Sequence, residues 1–416
     1  MSRERLLQRF LKYTQIDTTA GHPGGDYPSS PGQRVLGKVL TDELLKMGVI
    51  DAEQDEFGLV YATVQGTVMG CPVVALNSHV DTSPETTGAN VKPQVIEDYA
   101  GGDIPLPGDP SKVITVRENP ELNDLHGCTL ITSDGTTLLG GDDKAGIAVI
   151  MEVAERILEG KGPEIGTLKF LFTCDEEIGH GVDHVDLKKL GADVCYTLDG
   201  PGANELNEET FSADLATVTV KGVNIHPSIA KGRMVNSVRA AAALVAKLPT
   251  DRLSPETTDQ REGFIHPYIV EGGVAETVVQ CILRSFETTE LEAQAQLIRD
   301  LAKQVESEFP GCEIDVAITP QYRNLRDGLE KEPRAVPIAE RAHRALERPC
   351  NKRVIRGGTD GSQLTAMGLP TPNLSTGQHN PHSPLEWACL DEMEQAVELV
   401  LKMLELWASE PKTAAS

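Results

Sequence analysis

No run of 18 apolar residues occurs in the 416-residue chain, so the sequence offers no segment that would cross a bilayer as a helix. No Cys-X-X-Cys occurs either. The eight cysteines (Cys71, Cys128, Cys174, Cys195, Cys281, Cys312, Cys350 and Cys389) are scattered. In so long a chain they read as reduced, mostly buried thiols of a cytoplasmic protein, with Cys174 in the core. Internal repeats and low-complexity tracts are also missing. Residues 1–20 have neither an apolar h-region nor a small-residue cleavage site. They carry Arg3, Glu4, Arg5 and Arg9 among apolar residues at helical spacing and read as a helix, not a secretory signal. Basic residues are few: 38 Lys and Arg against 63 Asp and Glu give a net charge of −25. That balance disfavours nucleic acid and anionic membrane as partners. Its bland consequence is solubility. Its sharper one is a concentration of carboxylates around a cation site that favours a substrate's free amino group.

What is present describes a globular protein of two domains, 39% apolar and 24% charged. The spacing predicts helices over Arg3–Tyr13 and Pro31–Met47, then strands over Leu59–Val64 and Val73–Asn77. Ser83–Thr129, rich in Pro, Gly and Asp, reads as a long irregular excursion. A helix over Asp143–Glu159 is flanked by continuous apolar strands at Leu168–Cys174 and Val194–Leu198. Such runs suit central strands covered on both faces, and the alternation predicts an α/β architecture. Beyond Ser212 the texture changes. Strands at Leu215–Lys221, Val274–Phe286 and Glu313–Thr319 and helices at Met234–Leu248 and Thr288–Phe309 predict a smaller antiparallel α+β unit of about four strands. Helices at Arg334–Glu347, Gly361–Met367 and Leu390–Ala408 then resume the first pattern. The expected boundaries are 1–213 with 323–416 for a discontinuous catalytic domain and 214–322 for an inserted lid.

Five segments carry groups that bind metals. His79 and Asp81 follow a buried strand, and positions i and i+2 of extended backbone point the same way. Both can face the carboxyl edge of the sheet, where open α/β sheets bind ligands. Asp81 is suited to hold the other ring nitrogen of a ligating His79. Asp142 and Asp143 sit between a glycine turn and a helix start. A carboxylate with two oxygens can bridge two cations, a role for Asp142, while Asp143 reads as an N-cap. Glu176 and Glu177 diverge after a buried strand, so one can ligate while the other takes a proton. Asp199 likewise ends an apolar run. His382 opens His-Ser-Pro-Leu-Glu; His379 competes with it, and His382 is preferred because Glu386 follows. His22, His126, His180, His184, His266 and His343 read as structural or surface residues. Arg356, in Arg-Gly-Gly-Thr-Asp-Gly before a helix start, offers a planar fork and nearby backbone N–H groups to a carboxylate, with an ordinary glycine turn as the alternative.

The segments 77–82 (Asn-Ser-His-Val-Asp-Thr), 141–146 (Gly-Asp-Asp-Lys-Ala-Gly) and 355–361 (Ile-Arg-Gly-Gly-Thr-Asp-Gly) resemble the M20 family of di-zinc metallopeptidases, in its tripeptide-cleaving branch. So do the lid segments Val223–Pro227 and Ala230–Asn236. The resemblance implies a mixed central sheet flanked by helices and an inserted lid with an antiparallel sheet. It implies two Zn2+ ions per subunit, with His79, Asp142 and Asp199 as ligands and Glu177 and His382 completing the pair. Asp142 would bridge, Asp81 would orient His79, and Glu176 would be the general base. A cis peptide would join Asp142 to Asp143. His226 would reach the scissile carbonyl, in its own subunit or from a partner, which leaves a homodimer open. Arg284 and Asn236 would join Arg356 on the substrate's C-terminal carboxylate. The expected activity is removal of the first residue of tripeptides. The rivals are another M20-type amide hydrolase (dipeptidase, carboxypeptidase or N-acyl amino acid deacylase) and a non-catalytic metal-binding protein.

Overall fold

The computed structural model describes residues 2–21 and 24–412. The chain divides into two units: Met1–Glu208 with Gly328–Arg353 and Thr359–Ser416, and Glu209–Asp327 with Val354–Gly358. The expected lid, 214–322, falls within the main segment of the second unit; the short return at 354–358 has no counterpart in the sequence reading.

The first unit is built on a large mixed sheet. Its strands lie in the order Glu53–Gln54, Val60–Val64, Leu168–Thr173, Val74–His79, Val194–Pro201, Asn373–His379, Trp387–Cys389, Leu130–Thr132 and Gln94–Ile96. The four central strands are parallel and the outer ones antiparallel. Val74–His79 and Leu168–Thr173 are almost wholly buried, as continuous apolar runs require. His79 pairs with Thr173, and Asn77 with Thr197. His79 and Asp199 each lie two residues beyond the Asn77–Thr197 pair, so parallel pairing alone brings three chemistry-bearing strand ends to one edge.

Helices cover the sheet. Pro31–Met47 begins on proline, whose missing N–H is no loss at a first helical position. It ends at Gly48 (φ 96°), where the Gly48 N–H returns to Leu45 O and the Val49 N–H to Leu44 O. Gly141–Leu158 packs so closely that a Cβ on Gly146 would lie 2.1 Å from Leu198 O and 2.4 Å from Ser78 Oγ. Only glycine allows that approach. The excursion expected at 83–129 contains the short strands Gln94–Ile96, Ile104–Pro105 and Val113–Ile114. Its Tyr99, Ile104, Leu106, Ile114 and Leu122 bury themselves with Trp387 and Cys389 in a separate small core. All eight cysteines are unpaired, and only Cys128 and Cys350 are other than buried.

The second unit is a four-stranded antiparallel sheet in the order Phe264–Gly273, Glu276–Ser285, Ser212–Lys221, Glu313–Tyr322. The helices Ser237–Lys247 and Thr288–Glu308 cover one face. Val218, Val279, Cys281 and Leu283 meet Ala240, Leu244, Ala295, Ile298 and Val305 there. Two expectations need correction. The strand predicted from Val274 begins at Glu276, because Val274 and Ala275 form the two-residue turn of a hairpin. The helix predicted from Met234 begins at Ser237, because Asn236 caps it, its Oδ1 accepting from Val238 N and Arg239 N.

Candidate metal centre

The buried end of Val74–His79 presents the His79 ring. Its Nδ1 lies 3.1 Å from Asp81 O and 3.4 Å from Asp81 Oδ1, and its Nε2 lies 2.9 Å from Asp142 Oδ1. Asp81 is fully buried. Besides facing His79, its two oxygens accept from the backbone N–H groups of Glu176 (3.1 Å) and Glu177 (3.0 Å). One carboxylate therefore fixes both an imidazole and the turn that displays two glutamates. That turn is further held by Asp175, in left-handed backbone (φ 62°). Its carboxylate accepts from Ser29 N and Gln33 Nε2.

Asp142 is joined to Asp143 by a cis peptide bond, as the sequence resemblance implies. Its two oxygens face two imidazoles: Oδ1 lies 2.9 Å from His79 Nε2, and Oδ2 lies 3.5 Å from His382 Nε2. His382 Nε2 also lies 2.8 Å from Glu177 Oε2. Asp199 Oδ1 stands 3.8 Å from His79 Nε2 and accepts from Gln378 Nε2. Asp143 also reaches the cluster, with a donor atom within 4.8 Å of donor atoms of His79 and Asp199, but its oxygens have other partners. Its oxygens take the Gly146 N–H, three residues on, and the His79 N–H and Ser78 hydroxyl. It is a cap for the helix and a tie for the strand end.

His379 is committed to Glu392 (2.6 Å) and stacks on Trp387 at 3.7 Å. His382, in left-handed backbone (φ 63°), is the histidine of that loop that meets the cluster. Glu386, four residues on, has a role the sequence reading did not give it. Fully buried, it accepts from Leu139 N (2.7 Å), Gly140 N (2.7 Å) and Asp142 N (3.0 Å) and so shapes the turn that presents Asp142. Among the other histidines, His126 lies beside Tyr99, His180 pairs with Asp183, His184 stacks on Phe57, His266 lies near Tyr268 and His343 is buried. His22 lies outside the described residues.

The donor set fits metal. Donor atoms of His79, Asp142 and Glu177 all lie within 4.8 Å of one another. Glu177 Oε1 is buried with no hydrogen-bond partner. Burial, with Asp142 nearby, pushes Glu177 up to about 8 and Asp199 up to about 7. Acids gathered in this way are costly to ionise unless cations share the space. A further group, Cys128, Cys389 and Asp391, also brings donor atoms within 4.8 Å. There both Asp391 oxygens already hold the Arg3 guanidinium, at 3.1 and 2.9 Å.

His226, Asn236, Arg284 and Arg356 belong to the second unit. His226 is exposed and its Nδ1 lies 2.7 Å from Ser228 Oγ. Arg356 is bonded within its own unit. Its Nη1 donates to Gln260 O (2.8 Å) and Glu262 O (2.9 Å), and its Nη2 to Thr258 O (3.3 Å) and Thr258 Oγ1 (3.2 Å). That fork holds the 258–262 loop. Arg284 differs: Nη1 donates to Arg356 O, while Nε is buried without a partner.

Imidazoles and carboxylates converge at the carboxyl edge of a mixed α/β sheet, with a glutamate beside them. This is the site of a metal-dependent hydrolase. The chain belongs to peptidase family M20/M25/M40, whose pattern it matches over residues 138–406. It is 40% identical over 413 residues to a Peptidase T from Geobacillus thermodenitrificans (strain NG80-2), covering 99% of this chain and 100% of the relative. Among solved structures it is similar to the aminopeptidase PepT from Bacillus cereus ATCC 10987, with a TM-score of 0.74, 25% identity, and 98% and 99% of the two chains covered. A tripeptidase from Staphylococcus aureus subsp. aureus Mu50 shares the fold at a TM-score of 0.77 and 24% identity, again over 98% and 99% of the chains.

Proposed function

We propose that this chain is a cytoplasmic aminopeptidase that removes the first residue of tripeptides with two zinc ions at the site above. The observation that carries the reading is the Glu176–Glu177 turn, its N–H groups held by the same Asp81 carboxylate that faces His79 of the imidazole–carboxylate cluster, in a chain that aligns end to end with Peptidase T relatives. A binding module needs no such base. His79, Asp142 and Asp199, with Glu177 and His382, would hold the ions. Bound zinc supplies Lewis acidity and makes hydroxide available at neutral pH. Glu176 accepts the proton of the attacking water and hands it to the leaving amine. Asp81 holds the Glu176 backbone and the His79 ring in one register. His226 is the imidazole N–H for the developing oxyanion, from its own subunit or across a homodimer. Arg284, with Asn236, is assigned the substrate carboxylate in place of Arg356.

The test is a panel of di-, tri- and tetrapeptides with free or blocked ends, assayed with zinc loaded and after chelation. Free tripeptides are expected to be cut fastest. N-acetylated tripeptides or tetrapeptides cut as fast as free tripeptides would overturn the reading. Glu176→Gln should keep its metal by mass spectrometry and lose about 10²–10⁴ in rate.

A further inference from the structure

Asp360 lies in the same unit as the metal cluster and opens the helix Asp360–Met367, whose Thr359 cap forms a reciprocal box with Ser362. It is 1% exposed, and nothing above uses it. Its Oδ2 accepts the hydroxyl of Thr173, the last residue of the strand that leads to Glu176. Its Oδ1 has no hydrogen-bond partner. That oxygen is pressed against Gly181 instead: a Cβ built there would lie 1.9 Å from it. Gly181 is not in left-handed backbone, so its lack of a side chain answers to space rather than to φ. One carboxylate therefore touches both ends of the arc Thr173–Gly181, and Glu176 and Glu177 sit within that arc.

The surroundings make this a foundation. Asn77 Nδ2 donates to Thr173 Oγ1 (3.2 Å), and Thr197 Oγ1 donates to Asn77 Oδ1 (3.1 Å). Asn77, Thr173 and Thr197 come from the three strands that carry His79, the Glu176 arc and Asp199. Asp360 is the charged member of this buried layer. Burial raises its carboxyl to about 6, against the Thr173 hydrogen bond, which lowers it. Asp81 holds the Glu176 and Glu177 N–H groups, and Asp360 touches the arc's two feet.

We propose that Asp360 is a positioning residue for Glu176: its carboxylate, wedged between Thr173 and Gly181, sets the height at which the arc presents the general base. This rests on the aminopeptidase reading. A misplacement of about 1 Å can cost about 100-fold in rate, so the effect should be large and confined to the chemical step.

The test uses the full chain, loaded with zinc, on a free tripeptide. Asp360→Ala and Gly181→Ala should each lower kcat about 100-fold with KM and metal content little changed. They act on one contact, so the double variant should be no worse than either single one. Losses that multiply, or a loss tracked by missing metal, would overturn the proposal. Should Asp360→Ala fail to fold, the near-isosteric Asp360→Asn should lower kcat about tenfold, and wild-type kcat in it would overturn the idea. A crystal structure of Asp360→Asn adds a readout independent of substrate: an unmoved Glu176 carboxylate ends the proposal even if kcat falls. Wild-type enzyme that cuts no tripeptide would refute the function and leave this structural arm standing.

Discussion

Glu386 gathers three N–H groups onto two oxygens, an arrangement no other side chain of its size can reproduce. In Glu386→Gln one oxygen becomes a donor and faces donors. At least one buried N–H is then stranded, which costs about 1–3 kcal/mol. The turn it shapes carries Asp142, so metal affinity should fall about 10–100-fold, as for other groups that orient ligands. Urea unfolding and metal titration check the two effects separately. At the same scale, Arg284 and Arg356 separate two uses of a guanidinium. Arg284→Ala should impair cleavage of free-acid tripeptides far more than of their C-terminal amides. Arg356→Ala should impair both alike, because it removes the support of a loop. Equal losses in Arg284→Ala would refute the assignment, and initial rates on paired acid and amide substrates decide it.

At the scale of elements, helix Gly141–Leu158 is anchored away from the site by Glu152, which is fully buried. It receives Arg5 Nε and Nη2, both at 2.8 Å, Arg9 Nη1 at 3.0 Å and Arg156 Nε at 3.1 Å. Burial alone would raise the Glu152 carboxyl, but Arg5, Ser2 and Arg156 more than offset this and hold it below its usual range. A depressed folded pKa means that the stabilisation is present above the unfolded value, about 4.3, and fades as pH falls through the folded one. Glu152→Gln should therefore lose about 3 kcal/mol at neutral pH and flatten the acid limb of Tm against pH. Thermal melts from pH 7 to pH 3 test it. Elements were legible where local chemistry fixed them. Pro31–Met47 and Leu390–Ala408 match residue for residue, because proline and Gly48 bound the first and a long buried stripe defines the second. The strand Phe264–Gly273 escaped because its outer half is exposed and a bulge at Pro267 breaks its alternation. The same limit applies to side chains. The strand-end acids and histidines were readable from their own neighbours in sequence. The Arg356 partners at 258–262 and the contacts of Asp360 with Thr173 and Gly181 depend on chain folding over 90 residues or more, and no local pattern encodes them.

At the scale of the whole molecule, every proposed ion ligand belongs to the first unit and none to the second. Ions that bind only the folded state stabilise it by about 3–4 kcal/mol per site at 100–1,000 times Kd. Chelation should therefore lower the calorimetric transition of the first unit and leave that of the second in place. A uniform shift of both would contradict the assignment. The order of the chain has a consequence for its birth. Asn373–His379 is an interior strand of the large sheet, and it is made after the whole second unit. As the polypeptide leaves the ribosome, the second unit, complete once Val354–Gly358 has emerged, can close first, while Val194–Pro201 waits with an open, apolar flank, the kind of edge that invites pairing with other chains. His382 and Glu386 arrive later still. A nascent chain cut short before them would be a protein with one finished half and one sticky half, a ready client for chaperones and proteases.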